Sequence, residues 1–120
     1  MTGQTSRRKG IDAELALAKW LQANGWPHAE RRGGGFGGSD IVGTPGITWE
    51  CKNQAGLSLG TWTTQTETAR TTAGDTYGVL VVKRAGTTDV GRWHAVMPLN
   101  QMLALLREAG WAGEPTEPTP

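Results

Sequence analysis

The stretch from Tyr77 to Lys83 constrains this chain more than any other. It contains an apolar run, Val79 to Val82, with no polar residue alternating through it. A strand of that kind is buried on both faces, so it needs a layer of structure on either side. At 120 residues the chain is long enough for one domain with a single core. Helices packed on one sheet are the natural covering layers.

Two segments have strong helical periodicity. From about Ile11 to Ala23, the residues Ile11, Leu15, Ala18 and Leu21 recur at three- and four-residue spacing. Gly25 supplies a left-handed C-terminal position, Trp26 can pack back on Leu21, and Pro27 stops the helix from resuming. Met1 to Ser6, ahead of this segment, reads as polar and mobile. Leu99 to Ala109 repeats the pattern after Pro98 and ends in the same way at Gly110 and Trp111, with Trp111 set to contact Leu106. Trp62 to Ala73 reads as a third helix, although its threonines are poor helix formers.

Strands are expected at His28 to Arg32, Asp40 to Gly43, Ile47 to Lys52, Tyr77 to Lys83 and Arg92 to Met97. The turn Thr44-Pro45-Gly46 is short enough to pair the second and third antiparallel. The order is helix, three strands, helix, strand, strand, helix. This predicts a single-domain α/β fold with a mixed β-sheet flanked by helices over residues 1–112, followed by a disordered Pro/Thr-rich tail over 113–120.

Composition limits the setting. One cysteine cannot form an internal disulfide, and the chain has neither a signal-peptide pattern nor an apolar run long enough to span a bilayer. An intracellular, soluble protein with no membrane partner is the expectation. The net charge is only +1, but Arg7, Arg8, Lys9, Arg31 and Arg32 crowd the first third and allow a local basic surface.

The residues that carry chemistry converge on Gly33 to Lys52. In a strand, residues two apart share a face, so Thr48, Glu50 and Lys52 line one side while Ile47, Trp49 and Cys51 line the other. Glu50 and Lys52 are about 6.6 Å apart along the strand, close enough to reach one water or phosphate. Asp40 arrives from the neighbouring strand. Glu14 shares a helical stripe with Ile11, Ala18 and Leu21, where a carboxylate either snorkels at the edge or serves a polar site.

Asp40 and Glu50 on adjacent strands make an oxygen-rich set suited to a hard divalent cation, and Lys52 beside them can orient a water or neutralise a phosphorane. Phosphodiester hydrolysis uses that combination. Gly33 to Gly38, five glycines in six residues, can admit a phosphate backbone or act as a flap, and it lacks the strand-glycine-helix context of a dinucleotide or P-loop site. His28 and His94 lack partners at ligand spacing. Cys51 reads as a small buried thiol, and Trp62 can stack on a base or sugar.

Asp40 followed by Glu50-Cys51-Lys52, with Glu14 on the preceding helix, resembles the PD-(D/E)XK nuclease superfamily with its restriction-endonuclease-like fold. From Arg7 to Met97 the chain is similar to the archaeal-type Holliday junction resolvases within it. The matches are Arg8-Lys9-Gly10, Asn24-Gly25-Trp26, Arg31 before the glycine-rich loop, Ser39-Asp40-Ile41-Val42, Trp49-Glu50-Cys51-Lys52, Val79 to Lys83 and Val90-Gly91-Arg92-Trp93. Ser39 stands where proline often precedes the aspartate, and Cys51 stands where a β-branched residue is usual.

The resemblance implies a nuclease domain whose Asp40, Glu50 and Cys51 carbonyl hold Mg²⁺, with Mn²⁺ as a substitute. It implies that Glu14 binds a second metal or a metal-bound water, and that Lys52 supports the nucleophile. Arg7, Arg8, Lys9, Arg31, Arg32 and Ser39 would contact DNA, and Gln65 is a further candidate on a helix that matches poorly. The implied protein is a homodimer that cuts four-way DNA junctions in recombination and repair. The alternatives are a nuclease of the same superfamily acting on flap, single-stranded or specific duplex DNA, and a DNA-binding module without catalysis.

Overall fold

The computed structural model describes residues 3–33, 38–54 and 56–116. The elements are α1 (Gly3–Ala23), β1 (Glu30–Arg31), β2 (Ile41–Val42), β3 (Ile47–Lys52), α2 (Leu59–Ala73), β4 (Tyr77–Val82), a 3-10 turn at Val90–Arg92, β5 (His94–Val96) and α3 (Leu99–Glu108). The element order is the one expected, and the fold is mixed α/β. β4 is the middle strand of a sheet, parallel to β3 on one side and antiparallel to β5 on the other. β1 and β2 form a separate two-stranded antiparallel ribbon.

The apolar run of β4 is covered on both faces. Val79 and Val81 join Trp49 and Cys51 of β3 against Ala13, Leu17, Ala18 and Leu21 of α1. Alternation turns Gly78 and Leu80 to the opposite face, where α2 buries Trp62, Thr66 and Ala69. A Cβ at Gly78 would lie 3.1 Å from the side chains of Glu67 and Arg70, so the glycine lets α2 approach closely. Trp62 is therefore a core residue and has no face for stacking on a base.

Seven of the fifteen residues of α2 are threonine, each costing roughly 0.5 kcal/mol relative to alanine in a helix. Thr63, Thr64 and Thr66 return their hydroxyls to the carbonyls of Leu59, Gly60 and Trp62. Packing of Trp62 and Ala69 on the sheet offsets the weak propensity. The helix begins at Leu59, three residues before the expected start.

α1 begins at Gly3, so Thr5 and Ser6 are helical where a mobile lead was expected. Its buried face also differs in register. Leu15 is 51% exposed, because the sheet receives Leu17 and Leu15 lies about 200° around the helix from it. The C-terminal end of α1 is as expected: Gly25 has φ +116°, and the Trp26 amide donates to the Leu21 carbonyl at 3.0 Å. Trp26 meets Trp49 edge to face at 6.2 Å. The same backbone ending occurs at Gly110, yet Trp111 is 82% exposed because among the described residues no element covers it.

β2 pairs with β1 in place of the expected ladder with β3. The turn is present: Ile47 N–H donates to the Thr44 carbonyl at 3.1 Å, and Gly46 has φ +83° after Pro45, a type II arrangement. The strands diverge beyond it. Contact resumes at Asp40, whose amide donates to the Trp49 carbonyl at 2.7 Å. Among the described residues, no helix is long and apolar enough to cross a membrane. Residues 111–116 carry no helix or strand, and the expected disordered tail otherwise falls on residues 117–120, outside the described residues.

Candidate active site

The edge of β3 turned away from β4 is where the functional residues gather. Asp40 is fixed there three ways. Its amide donates to Trp49, its carbonyl accepts from the Arg32 amide at 2.9 Å, and its carboxylate accepts from the Cys51 amide at 2.7 Å. In a strand the N–H and C=O of one residue point to the same edge, so the Cys51 carbonyl also opens toward the Asp40 side. The Cys51 side chain points the other way, into the core. Burial pushes its thiol up to about 12, which leaves it inert as a nucleophile.

Glu50 and Lys52 project from the same strand into the site, with Lys52 Nζ 3.3 Å from Glu50 Oε1 and the two side chains only 14% and 16% exposed. Glu14 enters from α1 at the margin of its buried face, and its Oε2 accepts from Arg31 Nε at 2.8 Å. The carboxylate on the helical stripe lines the cleft and is held there by an arginine. This partner was hidden because it depends on how β1 crosses α1.

The electrostatics follow from three acids in a partly desolvated space. Burial raises the Asp40 carboxyl to about 7; the Glu50 and Glu14 charges add to this, while the Cys51 amide and Lys52 oppose it. Glu50 is also raised, by burial first, with Lys52 pulling the other way. Two half-buried carboxylates that resist ionisation make a site that favours positive charge. Asp40, Glu50 and the Cys51 carbonyl form an all-oxygen donor set. Among the described residues, no three or more His, Cys, Asp or Glu side chains come together as a metal-binding group.

These residues open onto a cleft of about 1180 Å³ between α1 and α2. Glu14, Asp40, Glu50 and Lys52 line it, and so do Arg7, Arg31, Arg32, Ser39 and Gln65. Arg8 and Lys9 do not line it. Arg8 is turned to solvent and pairs with Asp12 at 3.5 Å, one helical turn away on α1. Lys9 holds the site by its backbone, its carbonyl accepting from Asn53 Nδ2 at 3.4 Å.

Ser39 is also used structurally, since its Oγ accepts the Trp49 amide at 2.8 Å and donates to the Ile41 carbonyl at 2.5 Å. A hydroxyl here substitutes for the ladder bond that β2 fails to make with β3. Gly34 to Gly37, the centre of the glycine-rich loop, lies outside the described residues, while Gly33 and Gly38 line the cleft. His28 and His94 are exposed. The sequence reading missed Thr64, Thr68 and Thr72, which line the α2 wall at four-residue spacing. That spacing was the available signal.

No protein-family model, curated protein or solved structure matches this chain.

Proposed function

We propose that this protein is a metal-dependent endodeoxyribonuclease of the PD-(D/E)XK type, with a restriction-endonuclease-like core, acting on four-way DNA junctions as a homodimer. One observation carries the reading. The Asp40 carboxylate is bonded to the amide of the residue between Glu50 and Lys52, so the acid and the Glu-x-Lys unit form one constellation beside Glu14.

Asp40, Glu50 and the Cys51 carbonyl fit a divalent cation with an oxygen preference, since Mg²⁺ commonly takes one or two carboxylates and keeps waters. An ion held there, Mg²⁺ or Mn²⁺, would supply Lewis acidity toward a phosphoryl oxygen. Lys52 donates hydrogen bonds to the attacking water or to the phosphoryl oxygens and stabilises charge that grows during attack. Arg31 pairs with Glu14 at 2.8 Å and fixes the direction of its carboxylate, and Arg7 and Arg32 lie on the cleft wall where phosphates pass.

α3 supports the dimer. Its residues Leu99, Met102, Leu103 and Leu106 are exposed on successive turns, and the helix has no charge before Arg107. An uncharged apolar face of this kind suits an identical copy across a two-fold axis.

The test is cleavage of four-way junction, flap, single-stranded and linear duplex DNA in Mg²⁺ and in Mn²⁺, with Glu50→Ala and Lys52→Ala alongside. Cutting of the junction in preference to the others, lost at least 100-fold in both variants, is expected. Undiminished cutting by either variant overturns the mechanism. Equal cutting of linear duplex overturns the junction assignment, and metal-independent binding without cleavage favours a non-catalytic DNA-binding module.

A further inference from the structure

The two walls of the cleft differ in chemistry. The wall formed by α1 and the β1 end of the loop carries the cations Arg7, Arg31 and Arg32. The α2 wall carries no charge, and its lining side chains are Thr64, Gln65, Thr68, Ala69 and Thr72. Thr64 returns its hydroxyl to the Gly60 carbonyl. Thr68 and Thr72, one and two turns further along, are exposed, line the cleft and make no such bond, so their hydroxyls are available to a ligand lying in it.

A phosphodiester chain has two unlike sides, a row of anionic oxygens and a neutral side of sugars and bases. An arginine wall facing a hydroxyl wall matches that asymmetry. We infer that Thr68 and Thr72 are positioning residues for the neutral side of a nucleic acid strand whose phosphates follow Arg7 and Arg32 across the cleft. This inference rests on the nuclease reading for the identity of the ligand. It adds the direction in which the strand faces and assigns α2 a part in binding.

Valine replaces threonine with nearly the same shape and the same β-branching, so Thr68→Val with Thr72→Val removes the hydroxyls and leaves the helix. Binding of fluorescein-labelled single-stranded and junction oligonucleotides is measured by anisotropy in EDTA, over a series of salt concentrations. The double valine variant is expected to bind 5- to 20-fold more weakly with an unchanged slope of log K against log salt. Arg7→Gln is expected to lower that slope by nearly one, as loss of a phosphate contact does.

An unchanged Kd in the double valine variant overturns the inference, as does a loss of slope equal to that of Arg7→Gln. Absence of any binding by the parent protein also overturns it. The two readings fail separately. Threonine-dependent binding with no cleavage in Mg²⁺ or Mn²⁺ removes the nuclease reading and keeps the strand orientation; cleavage with threonine-independent binding does the reverse.

Discussion

The Cys51 amide donates a 2.7 Å hydrogen bond to the Asp40 carboxylate. This bond holds an acid from the segment before β2 at the open edge of β3, at the level of Glu50 and Lys52. It lowers the cost of ionising Asp40, yet burial outweighs it, and the carboxyl stays raised to about 7. The site is therefore strained toward a cation or a proton.

That strain has a sign that can be measured. Asp40 titrates near 3.8 when unfolded and near 7 when folded, so between those values the folded protein holds a proton that the unfolded chain has lost. The stabilisation is fully present below about pH 3.8 and is lost as pH rises through 7. Glu50, also raised, acts in the same direction. Asp40→Asn keeps an oxygen for the Cys51 amide and removes the charge. In EDTA it should exceed the parent's stability at pH 8 by on the order of 2–4 kcal/mol, and nearly match it at pH 4, by urea titration. Adding Mg²⁺ at pH 8 should raise the parent's Tm and leave that of Asp40→Asn unchanged. A variant no more stable than the parent at pH 8 would refute the burial argument.

Gly43 and Gly46 flank the turn that leads into β3, and both have positive φ, +85° and +83°. They differ in their surroundings. A Cβ at Gly43 would collide with the His28 carbonyl, whereas one at Gly46 meets nothing within 4 Å. Gly46→Ala should cost about 1 kcal/mol from backbone conformation alone. Gly43→Ala should cost about 3 kcal/mol or more, because the β1–β2 ribbon, which carries Arg31 and continues from Asp40, has to move. Equal thermal shifts for the two variants would show that the collision is relieved at no cost.

How much of this was legible before the fold was known depended on the range of the interaction. β3 was legible because Glu50 and Lys52 alternate with Trp49 and Cys51, and the end of α1 was legible because Gly25, Trp26 and Pro27 act locally. Asp40, Glu50 and Lys52 could be named from spacing along one strand and one neighbouring segment, and Glu14 from its place on the stripe of α1. The exposure of Leu15 was not legible, because the helical stripe allows two neighbouring faces and the sheet selects one. Neither was the Arg31–Glu14 pair, nor the bond between Ser39 and the Trp49 amide, since each needs the register between two elements. α2 was hardest to read, because threonine propensity argues against a helix that packing on β3 and β4 sustains.

Gln101 provides a test of how α3 is joined to the sheet. β5 pairs with β4 only from Leu80 onward, which leaves the Gly78 amide without a strand partner on that edge. Gln101 Oε1 accepts that amide at 2.8 Å, and its Nε2 donates to both carboxylate oxygens of Glu67, at 3.0 and 3.1 Å. Glu67 is itself held by Arg70, which together with Gln101 keeps its carboxyl below the usual range. Gln101→Ala leaves a buried amide unsatisfied and should cost about 2 kcal/mol in urea unfolding. Hydrogen exchange at Gly78 should accelerate as well. Retention of slow exchange there would indicate that another group replaces the glutamine.

The exposed side of α3 gives the last prediction, and it separates dimer formation from folding. Leu99, Met102, Leu103 and Leu106 lie on one face at three- and four-residue spacing, and the charged residues that follow are engaged elsewhere: Arg107 Nε donates to the Gly113 carbonyl at 3.2 Å, and Glu108 hydrogen-bonds with Tyr77. An apolar face with no charge has no means of repelling its own copy. The parent protein should therefore run as a dimer at micromolar concentration in light scattering. Leu103→Glu would set two carboxylates against each other across the two-fold axis and should give a monomer whose circular dichroism is unchanged, because Leu103 is exposed in the single chain and Gln101 still anchors the helix. If both subunits are needed for paired incisions, the monomer should still nick a junction while the rate of symmetric double cutting falls at least tenfold. A parent protein that is monomeric at tens of micromolar would exclude α3 as the interface and leave its leucines without a role in assembly.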